Sequence, residues 1–142
     1  MPESTTLETA TLLRRSMTRL MRRMRQDGSL GPAKLGVLGL LFRNGPMTPG
    51  ALAQAEGVQP QSLTRLLADI EAEGLASRRR DARDGRQSLI ELTEAGRASL
   101  AEDGAARSAW LAETMKEKLS ATECEILRLA AQLVDRLTEA AP

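Results

Sequence analysis

Two glycines and a charged turn, spaced along the stretch from Met47 to Gly96, constrain this chain more than any other feature. Thr48-Pro49 is a helix start, a hydroxyl that can cap followed by a proline suited to the first turn. The spacing predicts a short helix over Pro49–Glu56 that buries Leu52, Ala53 and Ala55, broken at Gly57. Val58 then falls at the apolar position of a tight corner, and Pro60 opens a second helix running to Glu73. That helix buries Leu63, Leu66 or Leu67, and Ile70, and Gly74 is a natural C-terminal glycine for it. Beyond it, Ala76–Arg80 and Gln87–Leu92 alternate as strands do, around an Asp84-Gly85 turn. Ile90 and Leu92 share a row with Ser88, while Gln87 and Glu91 face the other way.

The second of these helices is divided by charge along its length. Its first turns present Gln59, Gln61, Ser62, Thr64 and Arg65, which can exchange hydrogen bonds with base edges and phosphates. Its last turns carry Asp69, Glu71 and Glu73, which phosphates repel. The hairpin brings Arg78, Arg79, Arg80, Arg83 and Arg86 against only Asp81 and Asp84. Alone, such a tip is as well explained by a solvated loop. After a helix, a turn and a polar-ended helix, the order is that of a winged helix-turn-helix that reads double-stranded DNA. The amino-terminal end of the second helix is then expected in the major groove.

The flanking segments read as scaffold. Residues 1–6 are polar and expected to fray. From Leu7, apolar residues recur at three- and four-residue steps to Met24, ending at Asp27-Gly28. This first helix carries Arg14, Arg15, Arg19, Arg22, Arg23 and Arg25, opposed only by Glu8: either a solvated, paired face or one that meets anions. Gly31-Pro32 opens a second helix with Leu35, Leu38, Leu41 and Phe42 as its stripe, stopped at Asn44-Gly45-Pro46. Gly36 and Gly39 inside it weaken the helix and imply close approach of a neighbouring helix, or of a ligand. After the hairpin, Thr93 caps a long helix over Glu94–Leu119, and Ser120-Ala121-Thr122-Glu123 is a capping box that starts the last. The apolar stripe of that last helix is too wide for one partner, which implies a homodimer. The fold class is therefore mainly α with a small β-hairpin, in a single domain. Residues 46–96 form the winged helix-turn-helix lobe; residues 7–45 and 97–140 form a helical dimerisation module.

What the chain lacks narrows its function further. It has no histidine, the usual general base and commonest metal ligand, and a single cysteine, so neither an enzyme nor a metal or cofactor site is expected. Phe42 and Trp110 are its only aromatic residues, too few for a base-stacking platform. No apolar run approaches a membrane span and no leader segment is visible, which implies a cytoplasmic, nucleoid-associated protein with no membrane partner. The net charge of +1 decides nothing, because its distribution is what matters.

With these residues in view, the chain resembles the MarR family of bacterial winged-helix regulators, over nearly its whole length. The most specific part is Asp81-x-Arg83-Asp84-x-Arg86 followed by Leu89-x-x-Leu92-Thr93-x-x-Gly96, which resembles the family's wing signature. Glu73-Gly74-Leu75 is similar to its recognition-helix exit, and Ser120–Glu123 to its final capping segment. The resemblance implies that Arg86 enters the minor groove, with Asp84 orienting its guanidinium, and that Gln59, Gln61, Ser62, Thr64 and Arg65 face the major groove. Arg65 is then placed at a guanine edge or at a phosphate. It also implies a homodimeric repressor on a near-palindromic operator, released by a small-molecule effector. Residues implied for an effector pocket are Arg14, Arg15, Leu38, Phe42 and Trp110, each better explained by core packing or a solvated basic face. Peroxide sensing is disfavoured, since the first helix has no cysteine and the chain no tyrosine. The alternative is an architectural DNA-binding protein with little sequence preference and no effector.

Overall fold

The computed structural model describes residues 3–139. In chain order the elements are α1 (Glu3–Met24), α2 (Pro32–Asn44), α3 (Pro49–Glu56) and α4 (Pro60–Ala72). They continue with β1 (Ala76–Arg80), β2 (Ser88–Leu92), α5 (Glu94–Lys118) and α6 (Ala121–Thr138). The chain divides into two compact units, Met1–Arg107 and Ser108–Pro142.

The first unit holds the core. Val37, Leu38 and Leu41 of α2, Leu52 and Ala53 of α3, and Leu63, Leu67 and Ile70 of α4 are buried together with Ile90 of β2. Three- and four-residue apolar spacing in each helix gives one inward stripe, so three short helices close over one strand. Ala55, expected inside, is exposed, as are Val58 and Phe42. Ala55 follows Ala53 by two residues and so falls on the other side of α3, and Phe42, one turn after Leu38, falls at the solvent edge of the buried α2 stripe. Val37, which the spacing does not single out, is wholly buried.

The turns carry the geometry that their glycines suggest. Gly57 (φ 64°) and Gly74 (φ 75°) adopt left-handed conformations at the ends of α3 and α4. At each, two backbone bonds close the helix: Val58 N–H to Ala53 O with Gly57 N–H to Gln54 O, and Leu75 N–H to Ile70 O with Gly74 N–H to Glu71 O. These are the paired bonds of a Schellman cap. Thr48 caps α3, accepting from Ala51 N–H at 3.2 Å. The two strands pair antiparallel, with Ala76 opposite Leu92 and Arg80 opposite Ser88. Met47 adds a one-residue bridge on the far side of β2, exchanging both backbone bonds with Ile90 at 3.0 and 2.8 Å.

Helix α1 begins at Glu3, before the apolar pattern starts, so residues 3–6 are helical rather than frayed. Thr9 Oγ1 donates to Thr5 O there at 2.8 Å. Leu7 and Leu12 of α1 are largely exposed. In the second unit, α6 starts at the expected capping box, Ser120 and Glu123 each accepting from the other's backbone N–H. None of its residues is buried; Ile126, Leu129, Leu133 and Leu137 all lie open. No helix among the described residues is long and apolar enough to cross a membrane.

Candidate nucleic-acid interface

The site is built on α4 and the hairpin. Pro60 starts α4, and the Leu63, Leu67 and Ile70 stripe holds one face down on α2 and α3. The opposite face is left to solvent: Gln59, Gln61, Ser62, Thr64 and Arg65 are all exposed. Gln59 occupies the N-cap position without capping through its side chain, so its amide is uncommitted. The Thr64 hydroxyl instead donates to Pro60 O at 2.9 Å, leaving its oxygen as an acceptor. Arg65 makes no ion pair among the described residues.

The acidic end of α4 is put to structural use. Glu71 pairs with Arg78 of β1 at 3.1 Å, and Glu73 pairs with Lys34 of α2. The like-sign repulsion expected between this end and phosphate is thus reduced by two internal cations. Sequence reasoning missed these pairs because the partners come from other elements. The half-exposed pairs add little stability, since solvent screens them, but they fix where β1 and α2 lie relative to α4.

The hairpin sorts its arginines into two classes. Arg78 is held by Glu71 and Arg79 by Glu91, both at 3.1 Å. Arg80, Arg83 and Arg86 form no ion pair among the described residues and are exposed. The tip itself is ordered by its acids: Asp81 Oδ1 accepts from Arg83 N–H at 3.0 Å, and Asp84 Oδ1 from Arg86 N–H at 3.1 Å. Gln87 N–H donates to Asp84 O, and Asp81 N–H to Gln87 O, both at 3.0 Å. Asp84 therefore acts on Arg86 through the backbone and not through its guanidinium. The guanidinium is left free, on a loop whose shape is set by Asx-type bonds.

A single threonine ties the exit of α4 to the hairpin. Thr93 Oγ1 donates to Gly74 O at 2.6 Å and accepts from Gly96 N–H at 3.0 Å, while Thr93 N–H donates to Leu75 O at 3.1 Å. The exit of α4, the base of β2 and the first turn of α5 meet there. Gly96 is required: a Cβ would collide with Leu75 O and lie 2.6 Å from Leu92 Cδ1.

The comparisons with known proteins agree with this geometry. The chain is 37% identical over 130 residues to an HTH-type transcriptional regulator of Mycobacterium tuberculosis, spanning 89% of this chain and 90% of that one. The sequence profile of the MarR family matches residues 29–87, which include α2, α3, α4 and the hairpin to its tip. The chain belongs to the MarR family. A crystal structure described as a transcriptional regulator protein from Pseudomonas aeruginosa superposes with a TM-score of 0.82 at 32% identity, covering 99% of this chain and all of that one. A point variant of MepR from Staphylococcus aureus, solved bound to an oligodeoxyribonucleotide, shares the fold with a TM-score of 0.65 at 22% identity, over 92% and 96% of the two chains. The mainly helical architecture with one two-stranded wing is thus the MarR-family winged helix.

Of the residues implied for an effector pocket, those in the first unit do not share one hollow. Arg14 lies in a hollow along α1 with Met17 and Thr18, and Arg15 in a separate one with Leu7 and Leu12. Phe42 lines a cavity of about 450 Å³ with Leu35, Arg43 and Arg97. Leu38 is fully buried in the core, and Trp110 belongs to the second unit. Missed by sequence reasoning was the buried pair Asp103 and Arg107, with Oδ2 and Nε 2.8 Å apart. Asp103 Oδ1 also accepts from Leu30 N–H at 2.8 Å, tying α5 to the turn between α1 and α2. Both fall at helical spacing on a helix with little amphipathic pattern, so nothing in the sequence marks them as inside.

Proposed function

We propose that the protein is a homodimeric repressor that occupies a near-palindromic operator and leaves it when a small-molecule effector binds. That it is a DNA-binding transcriptional regulator follows from its family; oligomeric state, sign of regulation and release are our reading. In this reading residues 46–96 form the DNA-reading lobe, with 7–45 and 97–140 serving mainly dimerisation. Gln59, Gln61, Ser62, Thr64 and Arg65 enter the major groove, and Arg83 and Arg86, shaped by Asp84, reach the minor groove. The observation that carries it is the sorting of charge: cations near the acidic end of α4 are paired, whereas Arg80, Arg83 and Arg86 are left free. The open apolar residues of α1 and α6 support a second copy as partner, since they form no part of the core. Two copies would set their recognition helices in successive major grooves, roughly 34 Å apart.

Sequencing fragments selected by purified protein tests this. Enrichment of one near-palindromic sequence is expected, bound at least about a thousandfold more tightly than random DNA. A ratio near unity would instead identify an architectural protein that coats DNA. Arg86→Ala should weaken operator binding by roughly 1–3 kcal/mol while leaving the melting temperature in place. Unchanged affinity would remove the wing from the mechanism.

A further inference from the structure

Strand β1 carries three arginines in a row, and the register of the hairpin gives each a different neighbour. Ala76, Arg78 and Arg80 lie in one row of β1, opposite Leu92, Ile90 and Ser88 of β2. Side chains alternate across a sheet, so this row faces inward, where Ala76 and Ile90 are buried against the core. Ser77 and Arg79 face outward with Leu89 and Glu91. Arg78 reaches back to Glu71 of α4, and Arg79 is held by Glu91 on the outer face. Arg80, the next residue of the inward row, has passed the edge of the core. It is exposed and forms no ion pair or side-chain hydrogen bond among the described residues. We infer that Arg80, with the Ser88 hydroxyl opposite it, clamps one phosphate of the DNA backbone that runs between the major groove entered by α4 and the minor groove reached by the hairpin tip.

Adjacent major and minor grooves of a duplex are divided by a single sugar–phosphate backbone. A body that puts α4 in one groove and the hairpin tip in the other must straddle that backbone, so the clamp rests on the DNA-reading lobe proposed above. What faces the backbone is the side of the hairpin that looks toward α4, between its base and its tip. Arg78 marks that side through its bond to Glu71, and Arg80 lies roughly 7 Å farther out along it. Arg83 and Arg86 belong to the turn beyond the strands. Ser88 sits directly across from Arg80. Side chains so paired start about 5 Å apart, close enough to hold one phosphate between them.

The side chains suit an anion that has no base identity. A planar guanidinium offers parallel donors to two phosphate oxygens, and the serine hydroxyl adds another. Ser88 makes no side-chain hydrogen bond among the described residues, so its hydroxyl is uncommitted. The acids of the neighbourhood are engaged elsewhere: Glu71 with Arg78, Asp81 with Arg83 N–H and Asp84 with Arg86 N–H. None of them neutralises the Arg80 guanidinium. Phosphates carry no sequence information, so this contact positions the wing over the duplex and leaves the choice of bases to α4.

Salt titration of duplex binding by the full chain tests the clamp, with Arg80→Gln set against Arg79→Gln. Both changes remove one exposed cation from adjacent positions, so a difference between them reports the register and not the charge total. Circular dichroism checks that each variant folds. Arg80→Gln should weaken binding roughly tenfold or more and flatten the plot of log affinity against log salt by about one for each half-site. The loss should be the same on the selected operator, on its single-base variants and on random duplex. Arg79→Gln should keep the parent slope. One phosphate per half-site, between the bases read by α4 and the flanking minor groove, is then replaced by an uncharged methylphosphonate. That replacement should weaken the parent and leave Arg80→Gln unaffected. Ser88→Ala should cost about threefold with the slope unchanged, and an unaltered affinity strikes the hydroxyl from the clamp. A parent slope retained by Arg80→Gln, an equal flattening in Arg79→Gln, or a loss confined to particular bases overturns the proposal. A parent that binds no duplex overturns the DNA-reading lobe itself, a result distinct from every one of these comparisons.

Discussion

Thr93→Val isolates the joint between the wing and the recognition helix. Valine keeps the shape of threonine and removes one hydroxyl, so the change deletes two hydrogen bonds and little packing. One is the 2.6 Å bond to Gly74 O; the other is the cap on α5, where Gly96 N–H donates at 3.0 Å. A lost cap costs about 1 kcal/mol and a neutral hydrogen bond about the same. Thr93 is only half-buried, so water can reach part of what is orphaned, and we expect about 1–2 kcal/mol in total. For a chain of this length that is a fall of roughly 3–8 °C in melting temperature. Urea titration should show a lower midpoint with an unchanged slope, because the unfolded chain exposes the same surface. Operator binding supplies the second readout. Loosening the α4 exit from β2 should weaken binding beyond what the unfolded fraction explains, with the loss shared by mutated major-groove and minor-groove positions. A variant that melts early yet binds like the parent under folded conditions would refute the coupling.

Gly96→Ala places a methyl into Leu75 O, a carbonyl held by Thr93 N–H, so we expect a loss of roughly 3 kcal/mol or more in urea titration. Asp103→Ala strands Arg107 and should cost about 3–5 kcal/mol, whereas the double change to Asp103→Leu with Arg107→Met should recover most of it; equal losses would refute the pairing argument. The Glu123 carboxyl is held below its ordinary value of 4.5, first by the Ser120 backbone N–H and then by the Ser120 hydroxyl. Its contribution is therefore present above pH 4.5 and lost as pH falls through the lowered folded value. The advantage of the parent over Glu123→Gln in urea midpoint should shrink over that acid range, and a constant difference would contradict the cap's ionic character.

How much of this was legible beforehand depends on how local each cause is. The ends of α3 and α4 were readable because Pro49, Gly57, Pro60 and Gly74 act within a turn of themselves. The hairpin followed from alternation, and the capping box at Ser120 from four adjacent residues. Features that depend on distant partners were not readable. Met47 joins the sheet only because Ile90 comes to it, and Glu73 is neutralised by a lysine far earlier in the chain. Gly36 signalled a close approach, yet the visitor is the Glu56 carboxylate and not a helix. Burial of Asp103 and Arg107 had no signal, since charged residues four apart on a helix are ordinarily solvated. Of the site, the exposed polar face of α4 and the cationic tip were foreseeable. Which arginines would be left free was not, because that depends on which acids fold against them.

The unequal fate of those arginines has a kinetic consequence. Charge cancelled at the hairpin base and along the back of α4, but not at the tip, gives the lobe an electrical direction as well as a sign. A polyanion approaching from solvent exerts a torque on such a body before any contact is made, turning the tip toward itself. Encounters then arrive already aligned, and added salt should slow association more than it hastens departure.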